Sequence, residues 1–181
     1  MYSFRRTLVI AAIMAGASLP LFSQDALTRG GEEPAIDGLI AAGEYSYSAS
    51  FDRDRIRLFL NWSGDVLSVG VVGETTGWVG VGFDSLKMDG AVIFFGYVDK
   101  DEIVFRGDLG RGHRHSESDA LEAAGYALQE EGKATTMEIA LNAGDFLPDS
   151  GGGLEVILAY GSRDSLSAIH RYRTAVSVAV R

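Results

Sequence analysis

Hydrophobic and polar residues alternate in short runs along most of this 181-residue chain. In the clearest run, Arg55–Trp62, every second residue from Ile56 onward is apolar, and only Phe59 interrupts the polar face. The turn signal Ser63-Gly64-Asp65 follows, and a β-branched run, Val66–Val72, comes after it. Alternation with a period of two is typical of a strand with one buried face, so these runs predict a pair of neighbouring strands.

The same pattern recurs in both halves of the chain. The further predicted strands are Tyr45–Phe51, Trp78–Phe83, Ala91–Val98, Ile103–Arg106, Tyr126–Gln129, Ala134–Leu141, Leu154–Tyr160 and Thr174–Val180. Glu130-Glu131-Gly132 separates two of them in the manner of a hairpin turn. Short strands at near-regular spacing, without a long amphipathic helix, predict a single all-β domain, an antiparallel β-sandwich.

One segment breaks this rhythm. Gly107–Asp119 is polar and glycine-rich, and its pattern predicts a long loop of the kind that often carries function. His113 and His115 lie two residues apart in it, so an extended backbone would point both side chains the same way. Two readings stay open, a solvated polar loop and a metal-binding pair with nearby carboxylates.

The start of the chain has the pattern of an export signal. Arg5 and Arg6 precede a short apolar run that ends near Phe22, and the first acidic residue is Asp25. This order predicts a cleaved signal peptide over residues 1–24, a linker over 25–35 and one domain over 36–181. The protein is therefore expected to be secreted or periplasmic, with no membrane span after cleavage.

Charge and cysteine content narrow the chemistry. The formal net charge is −9, and removal of the two arginines of the signal peptide gives −9 − 2 = −11. An acidic surface disfavours nucleic acid and anionic membranes. The absence of cysteine excludes thiolate metal sites, thiol catalysis and covalent c-type haem. Any haem must therefore be held without a covalent bond.

The two methionines outside the predicted signal peptide differ in their surroundings. Met137 lies in an alternating run and is predicted to fill the core, whereas Met88 stands between Lys87 and Asp89-Gly90, outside any such run. A thioether at a strand end is a suitable axial ligand for haem iron. It can also simply cover a nearby apolar patch.

His170 is the remaining candidate ligand. Counting by twos from Val180 places it on the same face as the valines of the last strand if no bulge intervenes. A hydrogen-bonded core histidine is the alternative. No nucleophile elbow, phosphate-binding loop or dinucleotide fingerprint is present, so catalysis is not expected.

The order of motifs resembles the DOMON family. It is carried by Trp62-Ser63-Gly64-Asp65, the strand Gly77–Phe83, Met88-Asp89-Gly90-Ala91, the later Asp108, His115 and Asp119, and the final His170. The opening Ile36-Asp37-Gly38 is similar to the start of prokaryotic members, and the resemblance extends to Val180.

The resemblance implies an immunoglobulin-like sandwich that binds haem or sugars. Cytochrome-type members hold haem b through a methionine and a histidine, which correspond here to Met88 and His170. Trp78, Gly90 and Arg173 are predicted to contact the same cofactor. Arg173 would contact the haem propionates. Such a domain would carry single electrons to a separate redox protein. The alternative is a module that binds a carbohydrate or another small ligand in an apolar, aromatic-lined pocket.

Overall fold

The computed structural model describes residues 25–148 and 151–181. These contain twelve β-strands and one short 3-10 helix, Ala143–Asp145. The strands are β1 Ala26–Leu27, β2 Tyr47–Phe51, β3 Ile56–Ser63, β4 Val66–Gly73, β5 Val79–Phe83, β6 Val92–Asp99, β7 Glu102–Arg111, β8 Arg114–Glu117, β9 Gly125–Glu131, β10 Ala134–Asn142, β11 Gly152–Tyr160 and β12 Tyr172–Val180. In these two ranges no helix is long and apolar enough to span a bilayer.

The strands form two sheets that pack face to face. The seven-stranded sheet has the order β1-β12-β11-β5-β6-β7-β8, and the five-stranded sheet has the order β2-β3-β4-β10-β9. All pairs are antiparallel except β1 with β12. The predicted immunoglobulin-like β-sandwich is thereby confirmed.

The core lies between the sheets and follows the period-two pattern. Ile56, Leu58 and Leu60 on β3 are fully buried, and so are Val79 and Phe83 on β5 of the opposite sheet. Burial of such side chains is the main stabilising term in a sandwich of this size. Met137 is also fully buried, which confirms its predicted place in the core.

The prediction that residues 25–35 are only a linker is wrong. Ala26 and Leu27 form β1, which pairs with the end of β12, and Leu27 is fully buried. The chain then bridges from Arg29 to Trp62 of the opposite sheet. A two-residue strand is too short to show an alternating pattern, so its burial could not be deduced from the sequence. The predicted signal peptide, residues 1–24, lies outside the described residues.

The predicted loop over Gly107–Asp119 is also wrong. The segment continues β7 as far as Arg111, turns at Gly112-His113, and returns as β8. Gly112 has φ +62°, a left-handed conformation that glycine adopts without strain. Polar and glycine residues hid the alternation because this hairpin forms the edge of the sheet, where little apolar burial is needed.

A buried carboxylate attaches the first part of the domain to the five-stranded sheet. Glu138, on β10, is fully buried. Its Oε1 accepts a 2.6 Å hydrogen bond from Tyr45 Oη, and its Oε2 accepts bonds from the N–H groups of Gly38 and Asp37 at 2.7 and 3.2 Å. Burial raises the pKa of Glu138, with the hydrogen bonds opposing that rise in part. Burial and the bond to Glu138 raise the pKa of Tyr45, which keeps its hydroxyl a donor.

This arrangement predicts a pH-dependent stability difference between the protein and Glu138→Gln. Glu138 has a folded-state pKa above its ordinary 4.5, so between those values the folded chain binds more protons than the unfolded chain. The carboxyl's contribution to stability is therefore largest at low pH and falls as pH rises through that window. Urea unfolding from pH 4.5 upward should show the protein losing stability relative to Glu138→Gln.

The control for a charge change alone is Glu131→Gln, at an exposed position. A protein that gains stability relative to Glu138→Gln as pH rises would contradict the assignment.

Candidate functional site

Met88 lies in the loop between β5 and β6, outside any strand. The loop is built on the end of β7: Gly110 N–H donates to Ala91 C=O at 2.8 Å, and Gly90 N–H donates to Gly110 C=O at 3.1 Å. A Cβ at Gly110 would overlap the Met88 carbonyl, so only glycine permits this approach. Gly90 itself has φ +85° and serves the turn. The Met88 side chain is half-buried at this rim.

Asp89 adds a second attachment for the same loop. Its Oδ1 accepts a 2.7 Å hydrogen bond from the Gly112 N–H, and its carbonyl accepts one of 2.9 Å from Ser85 Oγ. Local bonds to the β7–β8 hairpin therefore fix the backbone that carries Met88.

His170 lies in the loop between β11 and β12, two residues before the last strand. Both ends of this loop are fixed to the sandwich. Arg171 N–H donates to Tyr160 C=O at 2.8 Å, and Gly161 C=O accepts a 2.6 Å bond from Thr75 Oγ1. Within the loop, Ala168 N–H bonds to Ser165 C=O at 3.0 Å. His170 is thus not on β12, and the predicted continuation of the valine face ends at Tyr172.

The surroundings of His170 favour a neutral imidazole. Burial, followed by the charge of Arg173, lowers its pKa from the ordinary 6.5. Arg171 and Arg173 follow it in sequence and are both exposed. Ile169, immediately before it, is 87% exposed, an unusual degree for a large apolar side chain. An imidazole with a lowered pKa and an exposed apolar side chain therefore lie in one loop, with one arginine beside them and another at the start of β12.

The sheet topology places Met88 and His170 at opposite ends of β5. Tyr160, where the His170 loop begins, pairs with Val79, the first residue of β5. The Met88 loop leaves the other end, after Phe83. Five residues of strand span about 13 Å, and each loop adds a further residue step or more, which separates the two Cα atoms by roughly 20 Å. Both side chains fully extended onto one iron reach only about 13 Å.

The donors therefore fit haem iron in kind, but the described structure does not bring them to a common iron. A methionine sulfur and a neutral imidazole nitrogen are the ligand pair of many b- and c-type cytochromes. No two-ligand iron site follows from the present separation.

The surface of the sheet between the two loops is already covered by side chains. A Cβ at Gly82 would come within 2.7 Å of Ile157 and 3.2 Å of Ile93, and one at Gly80 within 2.9 Å of Phe95. Gly80 and Gly82 therefore do not leave bare backbone open to a flat ligand. Their absent side chains make room for those of neighbouring strands.

Trp78 and Arg173 lie at the His170 end of the sheet. The Trp78 indole packs so closely over Gly161 that a Cβ there would overlap its Nε1. This Nε1 is buried and lacks a hydrogen-bond partner. Arg173, on β12, is paired in register with Ala159 on β11. Of the predicted cofactor contacts, Trp78, Arg173 and His170 thus share one end, while Met88 and Gly90 share the other.

A polar cluster that the sequence did not reveal lies on the edge hairpin. Asp108 is fully buried, and His115 Nδ1 lies 2.5 Å from its Oδ2. Arg106 Nη2 donates to the same oxygen at 2.9 Å, and its Nε lies 2.7 Å from Oδ1 without hydrogen-bond alignment. A buried carboxylate requires such partners, which assigns His115 a structural bond. A hairpin register would have placed Asp108 and His115 on one face, and the loop prediction concealed it.

His113 lies at the exposed hairpin turn, away from this cluster. In the described ranges, no group of three or more histidine and carboxylate side chains is arranged to hold a metal ion. The two readings of the His113/His115 pair are thereby replaced by one exposed histidine and one paired with Asp108.

Comparison with solved structures gives one likeness that shows a common fold. The chain is similar to the cytochrome domain of cellobiose dehydrogenase from Myriococcum thermophilum, with a TM-score of 0.52 and 8% identity, over 74% of this chain and 82% of that one. It is also similar to the cytochrome b domain of pyranose dehydrogenase from Coprinopsis cinerea, with a TM-score of 0.49 and 13% identity, over 64% and 68%. No family model and no curated protein matches the sequence. At 8% identity, the likeness to the cellobiose dehydrogenase domain shows the fold alone, and membership of the DOMON family stays a prediction.

The packing of the Met88 loop can be tested by Gly110→Ala. The added methyl group would collide with the Met88 carbonyl, and overpacking of this kind costs about 1–3 kcal/mol of unfolding free energy. The matched control is Gly125→Ala, where no heavy atom lies within 4 Å of the new methyl group. Both changes reduce the freedom of the unfolded chain alike. Equal urea midpoints for the two variants would show that Gly110 does not hold the loop.

Proposed function

We propose that this chain is a secreted or periplasmic domain that binds haem b and exchanges single electrons with a separate redox protein. The observation that carries the proposal is the environment of His170. Burial and Arg173 lower the pKa of its imidazole, which favours the neutral form, and arginines able to pair with propionates lie beside it. When bound, a haem supplies one-electron chemistry, and a methionine as second ligand raises its potential. No catalytic activity is proposed.

The loop around His170 supports this choice by its composition. A groove of about 440 Å³ lies along it, lined by Ser162, Arg163, Ser167, Ala168 and Ile169. Ala168 and Ile169 offer apolar surface, and Arg163 adds a cation. Burial of the exposed Ile169 against an apolar ligand would contribute favourable free energy of about 1.5–3 kcal/mol at most.

Met88 is the candidate for the second axial ligand. It can serve as the second axial ligand only if the central residues of one of the two loops move toward the other, because the loops leave opposite ends of β5. The ends of both loops are fixed by backbone hydrogen bonds, so such a movement would be confined to their central residues.

Reconstitution of the purified protein with haemin tests the proposal. We expect a sharp Soret band that His170→Ala abolishes, because the variant lacks the imidazole ligand. His113→Ala, which removes the exposed turn histidine, is the matched control and should leave the band unchanged. A band of equal strength in both variants would exclude His170 as the ligand.

The Met88→Leu variant separates the two possible ligand sets. A low-spin spectrum that becomes high-spin in Met88→Leu would establish coordination by both residues. A spectrum insensitive to this change would leave His170 as the one protein ligand, in keeping with the described separation.

A further inference from the structure

We propose that the open end of the sandwich beside Tyr160 binds a small monocarboxylate that also carries several hydroxyl groups. The site is a groove of about 300 Å³, named here the cationic groove. Its lining residues are Arg55, Glu74, Thr75, Thr76, Lys133, Tyr160, Ser162 and Arg171. This site is separate from the haem proposal and does not depend on it.

The cationic groove is built from turns of both sheets. Arg55 precedes β3, Glu74 and Thr75 follow β4, and Lys133 lies in the β9–β10 turn. Hydrogen bonds hold these turns together: Thr135 Oγ1 donates to Thr75 C=O at 2.9 Å, and Glu74 N–H donates to Arg55 C=O at 2.7 Å. The lining is therefore held in place by the ends of the core strands, which limits the cost of ordering it on binding.

The charge of the cationic groove opposes that of the protein. The chain has a net charge of −9, yet the lining contains three cations and one carboxylate. Arg55 is loosely paired, at 3.5 Å from Glu74 and 3.7 Å from Asp52. In the part of the chain that the structure describes, Lys133 and Arg171 form no ion pair. The lining itself carries a formal charge of 3 − 1 = +2, which Asp52 reduces to +1 and which favours an anion; Glu130, 3.5 Å from Thr135, does not line the groove.

The remaining polar groups indicate what kind of anion. Thr76 and Ser162 present exposed hydroxyl groups. Tyr160 is almost fully buried, and its hydroxyl donates to Asp52 at 3.4 Å. Glu74 and Asp52 can accept hydrogen bonds from ligand hydroxyl groups, but they would repel a dianion such as phosphate. Arginine pairs with a carboxylate through two parallel hydrogen bonds, so a singly charged, hydroxylated carboxylate matches the set.

The size of the cationic groove limits the ligand. About 300 Å³ is at the lower end of the range for small-molecule sites. A sugar acid of six carbons is of suitable size, whereas a polymer or a protein segment would contact the groove only in part.

Binding of D-gluconate to the haem-free protein, measured by calorimetry or NMR titration, tests this inference. Sorbitol, its neutral analogue, should bind at least about tenfold more weakly, because it lacks the charge that Lys133 and Arg171 bind. Lys133→Gln and Arg171→Gln should each weaken gluconate binding about tenfold. Both residues are exposed, so both variants are expected to fold, and far-ultraviolet circular dichroism checks this.

The matched control is Arg111→Gln. It removes an exposed arginine at the end of β7, outside the lining of the groove, and should leave gluconate binding unchanged. Equal affinity for gluconate and sorbitol, or equal loss in Arg111→Gln, would overturn the proposal. Inorganic phosphate binding as tightly as gluconate would overturn the assignment to a hydroxylated carboxylate. Because no haem is present, failure here and failure of the haem proposal are observed separately.

Discussion

Strand β5 is paired with β11 on one side and β6 on the other, and its inward side chains are locked among fully buried residues of both sheets. A slip of one residue along either neighbour would turn Val79, Val81 and Phe83 out of the core. Packing therefore fixes which loop leaves each end of the sheet. Because both neighbours are antiparallel to β5, the Met88 loop and the His170 loop leave opposite ends. Hydrophobic packing, more than any ligand contact, limits which side chains can meet at one ligand.

The two-sheet fold could be predicted because most strands bury one face and leave the other to solvent or a covering segment. The β3 run from Ile56 shows this alternation, and the structure buries the face that was predicted. The alternating pattern did not predict the strands that bury few apolar side chains. Strand β1 is only two residues long, and the edge hairpin from Gly107 to Glu117 uses a carboxylate, a histidine and glycines where an inner strand would use apolar residues. The burial of Glu138 was not predicted either, because its hydrogen-bond partners come from a segment a hundred residues earlier in the chain.

The candidate ligands could be recognised one at a time but not as a set. Met88 stands outside any strand, and the structure confirms that it does. Whether a second ligand approaches it depends on the order of strands in the sheet, which local alternation does not encode. The bond between Asp108 and His115 was missed because it depends on register: seven residues apart in sequence, they become neighbours only when the chain turns at Gly112-His113.

The β11–β12 loop links the two proposed sites. It carries His170, while Ser162 and Arg171 at its ends line the cationic groove. Arg171 cannot give its guanidinium to a haem propionate and to a bound carboxylate in the same geometry, so ligands at the two sites would compete for it. Linkage then requires each ligand to weaken the binding of the other by the same factor. Arg173 and Arg163 lie outside the cationic groove's lining and remain available to a propionate, which limits that factor. The coupling between the sites is therefore governed by one arginine, while the fixed ends of the loop keep the rest of the sheet unaffected.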